Sequence, residues 1–461
     1  LIGVAQSFGV AIHSDWADRR VTTVQPDVKS EQTFGAFEES IDLFGPLASI
    51  RQIFDEAGYC ELGVCNRLGV DSMQTIEPTR LRYYDAYLLG EDAQADLIRL
   101  FQLRAAVPLA RLASLFSAEN LAVMEALGMV SILGQEVRGG VDVFCSDGYL
   151  FATDHRYMIR EEDALDEDPV MYIGMDSHGL VQTAPRTGCD DLLDMCCGSG
   201  VQGIVASRYA RRVIAVDINP RAIRFTRFNA QFNGVTNHEV RLGSLYNVVE
   251  GLRFDAILAN PPFVPSPESN LKFRDGGVSG ESILRAIVQG APAHLAPEGR
   301  LAIVTDLVDV PTYETKLTSW LPGVRGTGAI LTTADRDEIL FSVPHCHAPF
   351  SQSFANYNRE LDRWVDNFRK ARLEAVNFGY ILLWLRPEEG LDLTTRTIHN
   401  PARPMWNDVE TWIAQRRLKD GAGSSDMIVK PRQDLQVSTT EFLDGETAEV
   451  QISVAGEPPF F

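Results

Sequence analysis

Apolar residues recur at helical spacing through Leu47, Ile50, Ile53 and Phe54, stop at Gly58 and resume over 60–68, which predicts two short helices joined by a turn. The same period continues in Leu81, Tyr84 and Leu88, in Leu97, Leu100 and Phe101, and in Leu109, Leu112 and Phe116. Ser117 then predicts the N-cap of a helix over 121–127 that ends at Gly128, with Asn120 where a capping-box glutamate would bond better. Past that glycine the pattern switches to strands, over 129–133, 141–145 and 149–152. Helices followed by a β-ribbon are in winged-helix order.

A second regime begins near residue 191. Strands over 192–194, 213–216, 240–242, 256–259 and 300–305 alternate with helices over 200–209, 221–232, one opening near Glu281, and 312–321. The runs 339–343 and 380–385 are expected to close the sheet as an antiparallel pair. This is the order of an α/β, Rossmann-like, doubly wound sheet of seven strands. Between those last two runs, 357–378 is amphipathic, with Leu361, Trp364, Phe368, Leu373 and Val376 on one face, a pattern of core or partner packing. Past Pro387, Trp406 and Trp412 mark one more helix, 421–425 reads as a flexible link, and 429–461 alternates as strands that cover a sheet edge or an oligomer contact. The expected domains are a helical, winged-helix-like one over 1–160, opening with a poorly specified arm over 1–33; an α/β one over 161–386; and a β-rich extension over 387–461. A carboxylate-rich loop over 161–168 connects the first two.

Chemistry gathers at the strand ends. The first strand of the alternation ends in Asp194 and turns through Cys196, Cys197, Gly198, Ser199 and Gly200, a glycine loop of the kind that lets backbone approach a nucleotide-type ligand. A carboxylate just before the loop would repel a pyrophosphate, whereas S-adenosylmethionine brings an ammonium and a sulfonium. Asp217 ends the next strand about 20 positions on, placed to accept hydrogen bonds from both ribose hydroxyls. The strand 256–259 runs into Asn260-Pro261-Pro262-Phe263. A planar nitrogen attacks a methyl group poorly unless its hydrogens are held aside. The Asn260 side-chain oxygen and the Pro261 carbonyl can accept them, the prolines stiffen the loop, and Phe263 can stack on the planar group.

Asp194-Met-Cys-Cys-Gly-Ser-Gly200, Asp217-Ile218-Asn-Pro-Arg221 and Asn260-Pro-Pro-Phe263 resemble three motifs of the class I methyltransferases with an Asn-Pro-Pro-aromatic loop. That group includes release-factor glutamine methyltransferases and ribosomal RNA guanine and adenine enzymes. Most of the chain also resembles a bacterial group of larger, two-part methyltransferases, in Phe273-Arg-Asp-Gly-Gly277, in the run 99–101 and in the region 50–69. It departs from the glutamine enzymes in Phe263, where they carry tyrosine, and in a long segment at each end, which leaves the substrate open. The resemblance implies S-adenosyl-L-methionine as cofactor. Asp194, Cys196, Gly198, Ser199 and Gly200 would hold its methionine end, Asp217 and Ile218 its ribose side, Ser244 and Leu245 its adenine, and Asn260 both cofactor and acceptor. Arg186, just before the first motif, sits where related enzymes contact the cofactor carboxylate. Arg274 and Asp275, close behind the catalytic loop, either hold the substrate or pin the loop by a salt bridge.

The formal charge of −21, from 63 acidic and 42 basic side chains, sets a field that repels nucleic acid. A peptide, protein or small-molecule amine is the easier acceptor. Seven cysteines without regular spacing fit a reducing interior, and no secretory or membrane-spanning run is seen, so a cytoplasmic location is expected. Cys196 and Cys197 are read as small loop fillers without redox chemistry. His345, Cys346 and His347 lie together, but a strand there would turn the cysteine away from the histidines, and no second ligand pair follows, so no metal is expected. The first reading is therefore an N-methyltransferase. Its rivals are transfer to an RNA or DNA base, an O-methyltransferase of secondary metabolism, and a non-catalytic interaction platform.

Overall fold

The structure, a computed structural model, describes residue 34 and residues 43–157, 159, 168–267, 271–346, 354–387, 390–398, 404–420, 435–441 and 447–454. The expected arm over 1–33, the carboxylates 161–167, His347 and the link 421–425 lie outside the described residues. Two compact units divide the chain, one of residues up to 178 with 190–250, the other of residues 179–189 with 251 onward.

The first unit opens with α1 (Phe44–Glu56) and α2 (Glu61–Leu68). Leu47, Ile50 and Phe54 are buried along α1 as their spacing demands, and the Cys60 thiol caps α2 at the Gly63 N–H. After α3 (Ala93–Phe101) come the short strand β1 (Val107–Pro108), α4 (Leu109–Leu115), α5 (Ala118–Ala126) and the hairpin β2 (Val130–Leu133) and β3 (Glu136–Gly139). The three strands pair in the order β1-β3-β2; β1 and β3 are not among the expected strands, and of those only 130–133 belongs to this sheet. Ser117 accepts the Asn120 N–H at the head of α5. Ser117→Ala is expected to lower stability by about 1 kcal/mol, read from the urea midpoint at unchanged slope.

A second hairpin, β4 (Asp142–Ser146) with β5 (Tyr149–Thr153), leads by way of α6 (Met175–Thr183) into the alternating region. There β6 (Cys189–Met195), α7 (Val201–Ala206), β7 (Ala210–Asp217), α8 (Pro220–Phe232) and β8 (His238–Leu242) follow, with strand order β6-β7-β8 and β7 parallel to β8. Pro220 opens α8 behind the Asn219 cap, as the Asn-Pro pair predicts.

α8 is welded to the helical region. Phe34 stacks on Phe225 at 4.3 Å, and Phe54 meets Phe232 edge-on at 5.8 Å. Asn229 and Asn233 bond the edge of β5, their amides exchanging hydrogen bonds with Ala152 and Leu150. Asp154 and Arg221 form a buried pair whose remaining lone pair takes the Val170 N–H at 2.6 Å. An ion pair so placed gives little net stability.

The second unit begins its strands with β9 (Phe254–Ala259), followed by α9 (Ser282–His294), β10 (Leu295–Val308), α10 (Tyr313–Trp320), β11 (Val324–Arg336), α11 (Glu338–His345), α12 (Phe354–Lys370), β12 (Val376–Pro387), β13 (Gly390–Thr397) and α13 (Trp406–Asp420). The order is β13-β11-β12-β10-β9, with β9 and β10 parallel and β12 antiparallel to both β10 and β11. A separate hairpin pairs β14 (Leu435–Glu441) with β15 (Thr447–Val454).

The α/β alternation is as expected, and two details differ. The run 339–343 is not a strand: it lies in α11, because the Asp337 carboxylate caps the Ile339 and Leu340 N–H groups and starts a helix. The antiparallel partner of β12 is instead β11, and β13 adds a strand parallel to β11, giving three sheet strands in the first unit's alternation and five in the second's in place of seven.

Candidate active site

In the first unit, the carboxyl ends of β6, β7 and β8 gather most of the residues anticipated for the cofactor. Asp194 is fully buried at the end of β6. Its Oδ2 accepts the Gly203 N–H at 2.8 Å, and its Oδ1 makes no hydrogen bond. Burial pushes this carboxyl up to about 7; the Gly203 N–H pulls it down and the neighbouring Asp217 charge raises it further. Gly203 has no room for a side chain, because a Cβ there would lie 2.7 Å from His238 Nε2 and 2.9 Å from Asp194 Oδ2.

The loop between β6 and α7 turns on three left-handed residues, Cys196, Gly198 and Gly200. Cys197 donates its N–H to Val216 O at 3.1 Å, and Gly200 closes back on Cys197 O at 2.7 Å. Burial, helped by the Asp217 and Asp194 charges, holds both cysteine thiols well above their usual range, so neither is a thiolate at neutral pH. From α8, Thr226 Oγ1 donates to Gly198 O at 2.9 Å and Asn229 Nδ2 to Ser199 O at 2.8 Å. The sequence reading missed these two anchors. Their signal was present: Thr226 and Asn229 are polar positions on a helix face otherwise made of Phe225, Phe228 and Phe232.

Asp217 ends β7 with one backbone donor on each oxygen, the Gly198 N–H on Oδ2 and the Asn219 N–H on Oδ1, both at 2.9 Å. Burial nonetheless raises its carboxyl, and the backbone donors oppose that rise. Beside it Ile218 is 63% exposed, a large apolar side chain left open next to a carboxylate. Gly243 N–H bonds Asp217 O at 2.8 Å, which brings exposed Ser244 and left-handed Leu245 to the same strand ends.

Arg186 belongs to the second unit. Its guanidinium donates to Val181 O at 3.1 Å and lies over the Trp406 ring at 5.2 Å, so packing accounts for its position.

The second unit carries Asn260, Pro261, Pro262 and Phe263. β9 runs into Asn260, which is half-buried, as are Pro262 and Phe263, while Pro261 is buried. The Phe263 ring lies 6.5 Å from that of Phe378 and packs on a core of Val264, Val308, Phe341, Trp364, Phe368 and Val376. Arg274 bonds Asp275 at 2.7 Å, and the Asp275 side chain is 1% exposed. Of the two roles open to that pair, the geometry shows the salt bridge.

His345 ends α11, so the strand geometry expected there is corrected. Its ring is stacked between Phe341 at 4.5 Å and Trp364 at 5.0 Å, and its Nδ1 lies 2.6 Å from Phe341 O. Among the described residues, no group of three or more His, Cys, Asp and Glu side chains is placed to hold a metal ion.

Residues 173–321 match the model of the methyltransferase small domain. Over 156 residues the chain is 33% identical to the release factor glutamine methyltransferase of Cereibacter sphaeroides, a match covering 31% of this chain and 53% of that protein. The ribosomal protein uL3 glutamine methyltransferase of Bradyrhizobium diazoefficiens is also 33% identical over 156 residues, covering 29% and 48%. Ribosomal RNA small subunit methyltransferase C of Serratia proteamaculans is 32% identical over 129 residues, covering 28% and 34%. The chain thus spans about half the length of the two glutamine enzymes it matches. Residues 173–321 are thus similar to the methyltransferase small domain, in the part of the chain that carries Asp194, Asp217 and Asn260.

Proposed function

We propose that the protein is an S-adenosylmethionine-dependent N-methyltransferase acting on an amide or amine nitrogen of a polypeptide in the cytoplasm. The observation that carries the proposal is the Asn260-Pro261-Pro262-Phe263 loop at the carboxyl end of β9, whose only evident chemistry is to hold the hydrogens of a planar nitrogen aside. The two glutamine methyltransferases among its relatives support an amide acceptor, and the chain's charge of −21 disfavours the RNA acceptor of the third.

The first unit's strand ends fit the cofactor by charge. Asp194, fully buried, and Asp217, half-buried, are two carboxylates held above their usual range, the first with an unbonded oxygen; an anion placed there would raise them further, and a cation relieves them. In this reading Asp194 and the glycine loop hold the methionine end, Asp217 the ribose hydroxyls, and Ile218 and Leu245 flank the adenine. S-adenosylmethionine supplies an electrophilic methyl group and needs no metal or strong base. The protein's share is orientation: Asn260 Oδ1 and the Pro261 carbonyl accept the hydrogens of the acceptor nitrogen, and Phe263 covers its planar face.

One pH dependence follows from Asp194. A cationic ligand binds the ionised carboxyl, whose ordinary value of 3.8 is raised to about 7, so a proton competes as pH falls through that value. Affinity for S-adenosylmethionine measured by calorimetry should level off above pH 8 and weaken by up to about tenfold per unit below 7. A flat profile from pH 6 to 8 would remove Asp194 from the site.

The function itself is tested with tritiated S-adenosylmethionine and a cell extract. Label that survives ribonuclease and is released by protease is expected. Label lost to ribonuclease overturns the polypeptide acceptor, and failure of the full chain to bind the cofactor overturns the enzyme.

A further inference from the structure

We infer that Trp364 is a positioning residue for the acceptor loop: its indole holds the Arg274–Asp275 pair, and that pair holds the backbone on which Asn260 and Phe263 are carried. The inference rests on reading 260–263 as the acceptor loop, and it concerns what keeps that loop aimed.

Directly after Phe263 the chain is laced to the turn 274–277. Val264 donates its N–H to Arg274 O at 3.0 Å, Gly276 donates to Val264 O at 2.9 Å, and Ser266 donates to Gly277 O at 3.0 Å. The contact is backbone on backbone. A Cβ on Gly280 would sit 2.3 Å from Phe263 O, so the turn leaves no gap into which the loop could slip. Wherever the turn goes, Phe263 goes with it.

Asp275 sets the turn. Its Oδ2 accepts the Leu271 N–H at 3.0 Å and its Oδ1 accepts Arg274 Nε at 2.7 Å. A carboxylate this buried requires its cation, and the cation in turn is held by α12. The guanidinium of Arg274 lies 5.1 Å over the ring of Trp364, which is 3% exposed and shares its core with Val264 and Phe263. One helical turn along α12, Asn367 Nδ2 donates to Val278 O at 3.2 Å, a second tie from the same helix to the same turn.

Burying Phe263 alone needs only apolar neighbours, and the core of Phe341, Phe368 and Val376 already supplies them. A buried ion pair under an indole adds direction, because a charge pair tolerates one geometry where hydrophobic contact tolerates several. That division of labour separates positioning from packing and gives the test.

Three variants of the full chain are compared with the parent. Trp364→Leu keeps an apolar filler and loses the ring, Trp364→Phe keeps a ring, and Arg274→Lys keeps the charge and loses the planar face. Hydrogen–deuterium exchange at the Val264, Ser266 and Gly276 amides is expected to quicken by about tenfold in Trp364→Leu and Arg274→Lys, as a local opening would give, with 192–203 and 213–219 unchanged. Turnover of tritiated S-adenosylmethionine on extract protein should fall by about tenfold in the same two, with KM for S-adenosylmethionine unchanged, and Trp364→Phe should restore both. Parent-like exchange in a folded Trp364→Leu or Arg274→Lys overturns the inference, as does a turnover loss that Trp364→Phe does not repair. If Trp364→Leu does not fold, Arg274→Lys alone decides. Should the parent transfer no label while exchange quickens as stated, the polypeptide methyltransferase reading fails and the tie between α12 and the loop stands.

Discussion

Asn260→Ala is expected to cut methyl transfer by about 10²- to 10³-fold in turnover while cofactor affinity changes by only a few-fold, the range found when one preorganised polar group is removed from a reacting centre. An amide nitrogen shares its lone pair with its carbonyl. To attack a methyl group it must present that pair, and its hydrogens must have somewhere to go. Asn260 Oδ1 and the Pro261 carbonyl are proposed to accept hydrogen bonds from them while the nitrogen–methyl bond forms and the sulfur–methyl bond breaks to leave a neutral thioether, one proton passing to water afterwards; alanine removes one of the two acceptors. Folding should be unaffected, since Asn260 is half-buried at a strand end rather than in the core. Single-turnover transfer to the labelled acceptor fraction, read beside calorimetry, separates the two quantities. Parent-level turnover in Asn260→Ala would end the case for N-methylation while leaving cofactor binding intact.

Asp217→Ala is expected to weaken S-adenosylmethionine binding by about 10²-fold, and Asp217→Asn by nearly as much. A hydrogen bond to a charged group contributes about 1.5–3 kcal/mol, and two hydroxyls would be lost at once. The asparagine is predicted to be poor for a reason visible in the structure. Each Asp217 oxygen already accepts one backbone N–H, from Gly198 and from Asn219. An amide NH₂ put in place of either oxygen would point hydrogens at one of those donors and spring the glycine loop or the start of α8. Calorimetry on the three proteins checks this. Asp217→Asn binding as tightly as the parent would mean that the ribose lies elsewhere.

How much of this was legible depended on how local each cause is. The strand-end positions of Asp194, Asp217 and Asn260 could be read because each closes an apolar run, and strand ends are where such folds place chemistry. The Ser117 cap could be read because its partner is three residues away. The run 339–343 misled because five mostly apolar residues suit a strand or a buried helix equally, and the Asp337 cap decided between them. β11 was missed because Gly326, Gly328 and the threonines 327, 332 and 333 blur its alternation; pairing with β12 on one side and β13 on the other forms it. The hold of Trp364 on Arg274 was out of reach, since nothing in either neighbourhood points to the other. The Arg274–Asp275 pair was seen, and only coordinates could show it facing its own loop.

The aromatic weld on α8 has a consequence for how the chain could have been assembled. The match to the methyltransferase small domain begins at residue 173, yet Phe225 and Phe232, inside that region, rest on Phe34 and Phe54 outside it. A gene boundary drawn at 173 would cut through a shared hydrophobic seam. A large-to-small change at Phe34 or Phe54 therefore leaves a gap against α8, inside the matched region.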